Sequence, residues 1–307
     1  MQTILGSTGP IGTVLARELN AFTTSIRLVS REPKPVNGQE ELVPANLLNA
    51  EEAIRAVEGS SITYLCVGLA YNHKVWQESW PLLIRNVLHA CEVTGSKLVF
   101  FDNVYAIGGD NVQHITESSP YSPSSRKGQV RQQLDELIME QVERGKLTGI
   151  IARSADFYGP GGQNSFMTEM VYKSLKKGKK AQWFCRTDKV HSFTYVPDAA
   201  KGMAMLGNHG ECFNQVWNLP THPARLTGQQ WIELFASAMG RPAKSQAIPV
   251  WMLRILGLFI PILKEMPEMC YQYDRDYFFD SAKFNRHFQF SPTTPEEGVK
   301  ATVASLG

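Results

Sequence analysis

Apolar positions in the first half of the chain follow two rhythms. TILG (3–6), SIRLVS (25–30), SITYLCVG (61–68), KLVFFDN (97–103) and LTGIIARSADFYG (147–159) are short runs dominated by Ile, Val and Leu. Between them, GPIGTVLARELN (9–20), LLNAEEAIRAVEG (47–59) and VWQESWPLLIRNVLHACEVTG (75–95) repeat their apolar residues at helical spacing. A further short strand falls in ELVPANL (41–47). Nearly unbroken strands separated by helices predict a parallel sheet covered on both faces, and right-handed crossovers make it a doubly wound α/β fold. Beyond about residue 160 the alternation weakens. KKGKKAQWF (176–184) reads as a basic loop, VWNLP as a strand near 214–220 returning to the sheet, and the rest as helices carrying Pro and aromatic residues. The pattern divides the chain into a sheet domain over 1–160 and a smaller C-terminal portion over 161–307.

Composition narrows this only a little. With 43% hydrophobic and 20% charged residues, 307 residues bury a core without staples. A formal net charge of +2 excludes long-range attraction to nucleic acid. Five scattered cysteines without a Cys-x-x-Cys spacing read as reduced thiols in a cytoplasmic protein, and no metal-ligand pattern is visible. The first residues lack the basic start and apolar run of a secretory leader. The longest apolar tract, VWMLRILGLFIPIL (250–263), is too short for a membrane span and contains Arg254 and Pro261; it reads as a buried helix or pocket wall.

The most specific signal is GSTGPIG, with Gly6, Gly9 and Gly12 between the first strand and the first helix. Gly6 suits a tight turn, Gly9 lets the backbone approach a pyrophosphate, and Gly12 allows close helix–strand packing. Thr8, Pro10 and Ile11 complete the loop. Pro10 fits the first helical turn, and the amides and dipole of that turn face an anion. The Gly-x-x-Gly-x-x-Gly spacing and its context resemble the short-chain dehydrogenase/reductase superfamily, in particular its extended branch of sugar-nucleotide epimerases and dehydratases, over roughly residues 2–220. The resemblance implies a Rossmann-like dinucleotide-binding domain, a substrate-binding C-terminal portion and a nicotinamide cofactor. At the end of the second strand, where an acid would bind the NAD ribose, stand Ser30 and Arg31. An arginine pairs with a 2′-phosphate, so NADP is expected over NAD. Asn46 and Leu47 occupy the adenine-side positions of the family, and Val67, Gly68 and Leu69 the stretch beside the cofactor ribose.

In that family a Ser or Thr polarises the substrate, a Tyr transfers the proton, and a Lys four residues later holds the nicotinamide ribose. The Ser position falls on Asn103, whose amide can still donate to a carbonyl. In SPYSPSSRKG (119–128), Lys127 is present but the Tyr position is Pro123. Ser122 and Pro123 suit an N-cap and a first helical residue. Tyr121 is the nearest phenol, with Tyr105 and Tyr158 as further candidates. RSADFYGPGG places Ser154 where the family meets the nicotinamide carboxamide, and His191 in HSFTYVPDAA is a possible pocket residue against the commoner fate of a strand-edge histidine. Two functions follow. One is an enzyme using NADP on a small alcohol, carbonyl or sugar nucleotide, with Asn103, Tyr121 and Lys127 in the active site and substrate lying between the sheet edge and the C-terminal portion. The other is a catalytically silent redox sensor. Expected partners are a small-molecule substrate and a second copy, with no nucleic acid and no membrane span.

Overall fold

The computed structural model describes all 307 residues. The first part of the chain gives β1 (Gln2–Leu5), α1 (Pro10–Glu18), β2 (Ile26–Ser30), β3 (Glu41–Pro44), α2 (Ala50–Val57), β4 (Ile62–Leu65), α3 (His73–Thr94) and β5 (Lys97–Asn103). Then come α4 (Arg126–Glu143), β6 (Gly149–Ser154), β7 (Asp156–Tyr158), α5 (Lys173–Lys176), β8 (Ala181–Phe184), β9 (Phe193–Tyr195), α6 (Val196–Gly207) and β10 (Gln215–Asn218). The chain ends with α7 (Gly228–Ala238), β11 (Ser245–Ile248), α8 (Val250–Leu256), α9 (Pro261–Lys264), α10 (Ala282–His287) and α11 (Pro295–Leu306).

Two compact units result, and the polypeptide passes between them more than once. The first contains 1–103, 130–153 and 199–219; the second contains 104–129, 154–198 and 220–307. The first is built on a seven-stranded sheet in the order β10-β6-β5-β4-β1-β2-β3, parallel at every pairing given by its register. This is the doubly wound arrangement expected from the alternating pattern. Its central strands β1, β4 and β6 are buried at every position, which explains their unbroken apolar runs. β3, at the edge, is mostly exposed. Asn49 and Asn72 accept backbone hydrogen bonds at the starts of α2 and α3, and Gly95 closes α3 at φ 70°. Capping boxes at Thr227/Gln230 and Thr294/Glu297 start α7 and α11 in the second unit.

Three local expectations change. The apolar run 147–159 is two strands: β6 stays in the central sheet, while β7 pairs with β9 in the second unit. Ala155 N donates to Thr194 Oγ1 at 3.1 Å, which takes the backbone out of the first ladder. The stretch 176–184 is not all loop, since β8 pairs in parallel with β11 and buries Ala181, Trp183 and Phe184; the lysines ahead of it mask an apolar strand. Helix α4 begins at Arg126, not at Ser122 and Pro123. Ser125 serves as its cap, accepting from Gly128 N at 3.0 Å, whereas Ser122 Oγ is occupied by Gly108 and Asn111.

Candidate functional site

The sheet order reverses at β1, whose neighbours are β2 on one side and β4 on the other. At such a switch point the loops diverge and leave a crevice at the C-terminal strand ends. The glycine loop lies there. Gly6 has φ 88°, and a Cβ on it would fall 2.7 Å from Val67 N, so only glycine turns here. A Cβ on Gly12 would fall 2.5 Å from Gly6 O, which is how closely α1 packs on the loop. Val29 O anchors the loop by accepting from the amides of Gly6 and Ser7. Gly9 is the N-cap of α1, with no side-chain cap, and Pro10 is its first residue. The first turn's hydrogen bond is made by Thr13 N to Gly9 O, so the amides of Ile11 and Gly12 precede the helical ladder. Thr8 is exposed beside them.

The other positions expected at a cofactor are placed as follows. Ser30 Oγ, at the end of β2, is buried and makes no hydrogen bond within the protein. Arg31 is exposed next to it. Gly68 has open space where a Cβ would stand, and Val67 and Leu69 on either side of it are half-buried. Asn46 is exposed; its Oδ1 accepts from Leu48 N at 3.2 Å, which leaves one lone pair for a ligand amino group. Leu47 is buried, and its carbonyl accepts from Asn86 at 2.9 Å. Asn103 is half-buried at the C-terminal end of β5. Ser154 is buried at the end of β6, its hydroxyl donating to Ala155 O at 2.8 Å.

The second unit holds Tyr121 and Lys127. Tyr121 is half-buried in the non-helical segment before α4. Lys127 is fully buried, with Nζ 2.8 Å from Glu265 Oε2 and paired also with Glu268. Neither partnership was visible from sequence: Glu265 closes α9 and Glu268 lies in the 3-10 turn after it, 138 and 141 residues beyond the lysine. Of the other phenols, Tyr158 is a core residue packed on Tyr195 and Trp231, and burial pushes its pKa up. The carbonyl of Tyr105 accepts from Tyr271 at 3.3 Å.

Two polar clusters come together only on folding. In the first unit Arg131 pairs with Asp102 at 3.1 Å and Arg153 with Asp135 at 2.9 Å, all four nearly inaccessible. The Arg131 guanidinium also lies 4.2 Å from the Trp80 ring centroid. In the second unit His191 is 2% exposed and stacked between Tyr273 and Tyr277. Its Nε2 is 3.0 Å from Asp156 Oδ2, which also accepts from Tyr273 at 2.8 Å. His191 Nδ1 has no partner. His191 is thus a buried packing histidine, in a bridge to Tyr277 just ahead of β9.

The model of the NAD dependent epimerase/dehydratase family matches residues 3–219. The chain belongs to that family. No curated protein sequence matches it. Among solved structures, a dTDP-glucose 4,6-dehydratase double mutant from Streptomyces venezuelae, with NAD and DAU bound, is similar at 15% identity and TM-score 0.80, covering 99% of this chain and 96% of that one. UDP-glucose 4-epimerase of Thermus thermophilus, in complex with NAD, is 17% identical at TM-score 0.79, covering 99% and 98%. UDP-glucose 4-epimerase of Thermotoga maritima, with UDP-glucose, is 18% identical at TM-score 0.80, covering 100% and 98%. At these identities the likeness is one of fold. The epimerase/dehydratase family is nicotinamide-dependent, which agrees with the glycine turn and the orphaned Ser30 hydroxyl at the sheet's switch point.

Proposed function

We propose that the protein is an NADP-preferring oxidoreductase or epimerase/dehydratase-like enzyme acting on a sugar nucleotide or a small alcohol or carbonyl compound. The observation that carries this is the Gly6–Gly12 turn at the switch point, with helical amides unspent by the fold. Ile11 and Gly12 would hold the pyrophosphate where Gly9 lets it approach, Ser30 and Arg31 the adenosine ribose, and Asn46 the adenine amino group. When bound, the nicotinamide accepts or supplies a hydride. The protein's part is to orient the reacting carbon and move a proton. Asn103 would donate to the substrate oxygen through its amide, and Tyr121 would exchange the proton that the family's missing phenol handles. Lys127 enters this proposal as a charge whose two glutamate partners compete with a ribose for its ammonium. A homodimer is the expected assembly.

Titration calorimetry with NADPH and NADH, followed by turnover assays with UDP-glucose, dTDP-glucose and a carbonyl panel, tests the proposal. Saturable cofactor binding with turnover supports it. Binding without turnover leaves the silent redox sensor, a reading favoured by Pro123 and by the clamped Lys127. Absence of binding by folded protein removes both.

Arg31→Ala is expected to weaken NADPH by about 10- to 150-fold, the worth of one charge-assisted contact, and to leave NADH nearly unchanged. Equal losses for the two cofactors would refute the assignment. Tyr121→Phe is expected to lower kcat by about 10²- to 10⁴-fold with cofactor affinity intact; an unaltered kcat would move the proton transfer elsewhere.

A further inference from the structure

The apolar tract that reads as a buried helix is largely exposed. In the second unit, α8 and α9 form a short helical pair joined through 257–260. Leu253 is its buried anchor, while Leu258 and Phe259 are each 79% exposed and Trp251 is 60% exposed. Ile255, Ile260 and Ile262 are exposed as well. Six of the eleven exposed large hydrophobic side chains of the whole protein fall in these twelve residues, so this is a concentrated patch rather than the scattered apolar exposure of ordinary surfaces.

Along this stretch of chain the charges have one sign. From 234 to 264 the chain carries Arg241, Lys244, Arg254 and Lys264 and no Asp or Glu. Arg254 is exposed within the helical pair itself, and Lys264 ends it. The next acid, Glu265, is 3% exposed and bound to Lys127, so it presents no negative charge to solvent. Bulky apolar residues at a tip, a tryptophan at its flank and exposed cations beside them form the chemistry of an interfacial membrane anchor. No helix here is long and apolar enough to cross a membrane, so the contact would lie in the interface plane. We infer that the α8–α9 segment docks the protein onto an anionic lipid surface, with Leu258 and Phe259 entering the acyl boundary and Arg254 and Lys264 meeting the headgroups.

Flotation of the full-length protein with vesicles tests this. With equal parts phosphatidylcholine and phosphatidylglycerol the protein should float, and its tryptophan emission should shift to the blue, a shift reduced in Trp251→Phe. Phosphatidylcholine alone should bind at least about tenfold more weakly, because the cations lose their partners. Leu258→Ser with Phe259→Ser should lower partitioning by about tenfold or more while leaving circular dichroism unchanged. Arg254→Gln with Lys264→Gln should lose the preference for the anionic lipid. Three results would overturn the inference: no flotation with either vesicle, equal flotation of the Leu258/Phe259 variant, or a lipid-free dimer that the same variant converts to monomer, which would make a second copy the occupant.

Discussion

Gly12→Ala is expected to abolish high-affinity dinucleotide binding, weakening it more than tenfold, or by more than about 1.4 kcal/mol. The new methyl would fall 2.5 Å from Gly6 O and 2.9 Å from Ser7 Cα. Both are backbone atoms, so no rotamer change relieves the clash, and the loop has to move away from α1. That movement displaces the amides proposed to hold the phosphates. Overpacking of this kind costs about 1–3 kcal/mol of stability, so the variant should fold. Gly210→Ala is the control: nothing lies within 4 Å of its added carbon, and binding should be unchanged. Calorimetry with NADPH on both variants, beside a urea titration, separates the two effects. Full affinity in Gly12→Ala would show that the loop does not carry the phosphates.

Arg153→Met should be among the most destabilising substitutions in the protein. Arg153 is 2% exposed and Asp135 is inaccessible, with 2.9 Å between them. Removing the guanidinium takes a 2.9 Å ion pair away from a buried carboxylate, a loss of about 3–5 kcal/mol. Asp102 adds a pH dependence. Burial, then the charge of Asp135, raises its pKa, while Arg131 and Arg153 hold it down. A carboxyl raised above its unfolded value favours the native state at low pH and loses that contribution as pH rises through the folded pKa. Loss of Arg153 raises Asp102 further, so the deficit should be larger at neutral pH than in mild acid. Adding Asp135→Leu to Arg153→Met should recover most of the stability, because an apolar pair replaces two desolvated charges. Urea denaturation of the single and double variants at two pH values measures this; additive losses would contradict a paired network.

The legible features were local ones. Five apolar runs and the helices between them follow from side-chain periodicity, which is written in consecutive residues. The βα turn could be located because Gly6, Pro10 and Gly12 act within one loop, where chain connectivity supplies the geometry. The split of 147–159 into β6 and β7 was not legible, since a hydroxyl from Thr194 redirects Ala155. The start of α4 at Arg126 likewise depends on Gly108 and Asn111 occupying Ser122. The sequence marked Lys127 as available for a ribose, and only folding brings Glu265 and Glu268 onto it.

By itself, then, the amino-acid order determined the parallel sheet and the family's glycine turn, because periodicity and turn conformation are short-range properties. Tertiary structure alone decided which buried charges find partners, how His191 is packed and which apolar side chains on 250–263 stay in water. Those outcomes depend on groups far apart in the chain, and neither burial nor ion pairing exists until the chain has closed upon itself.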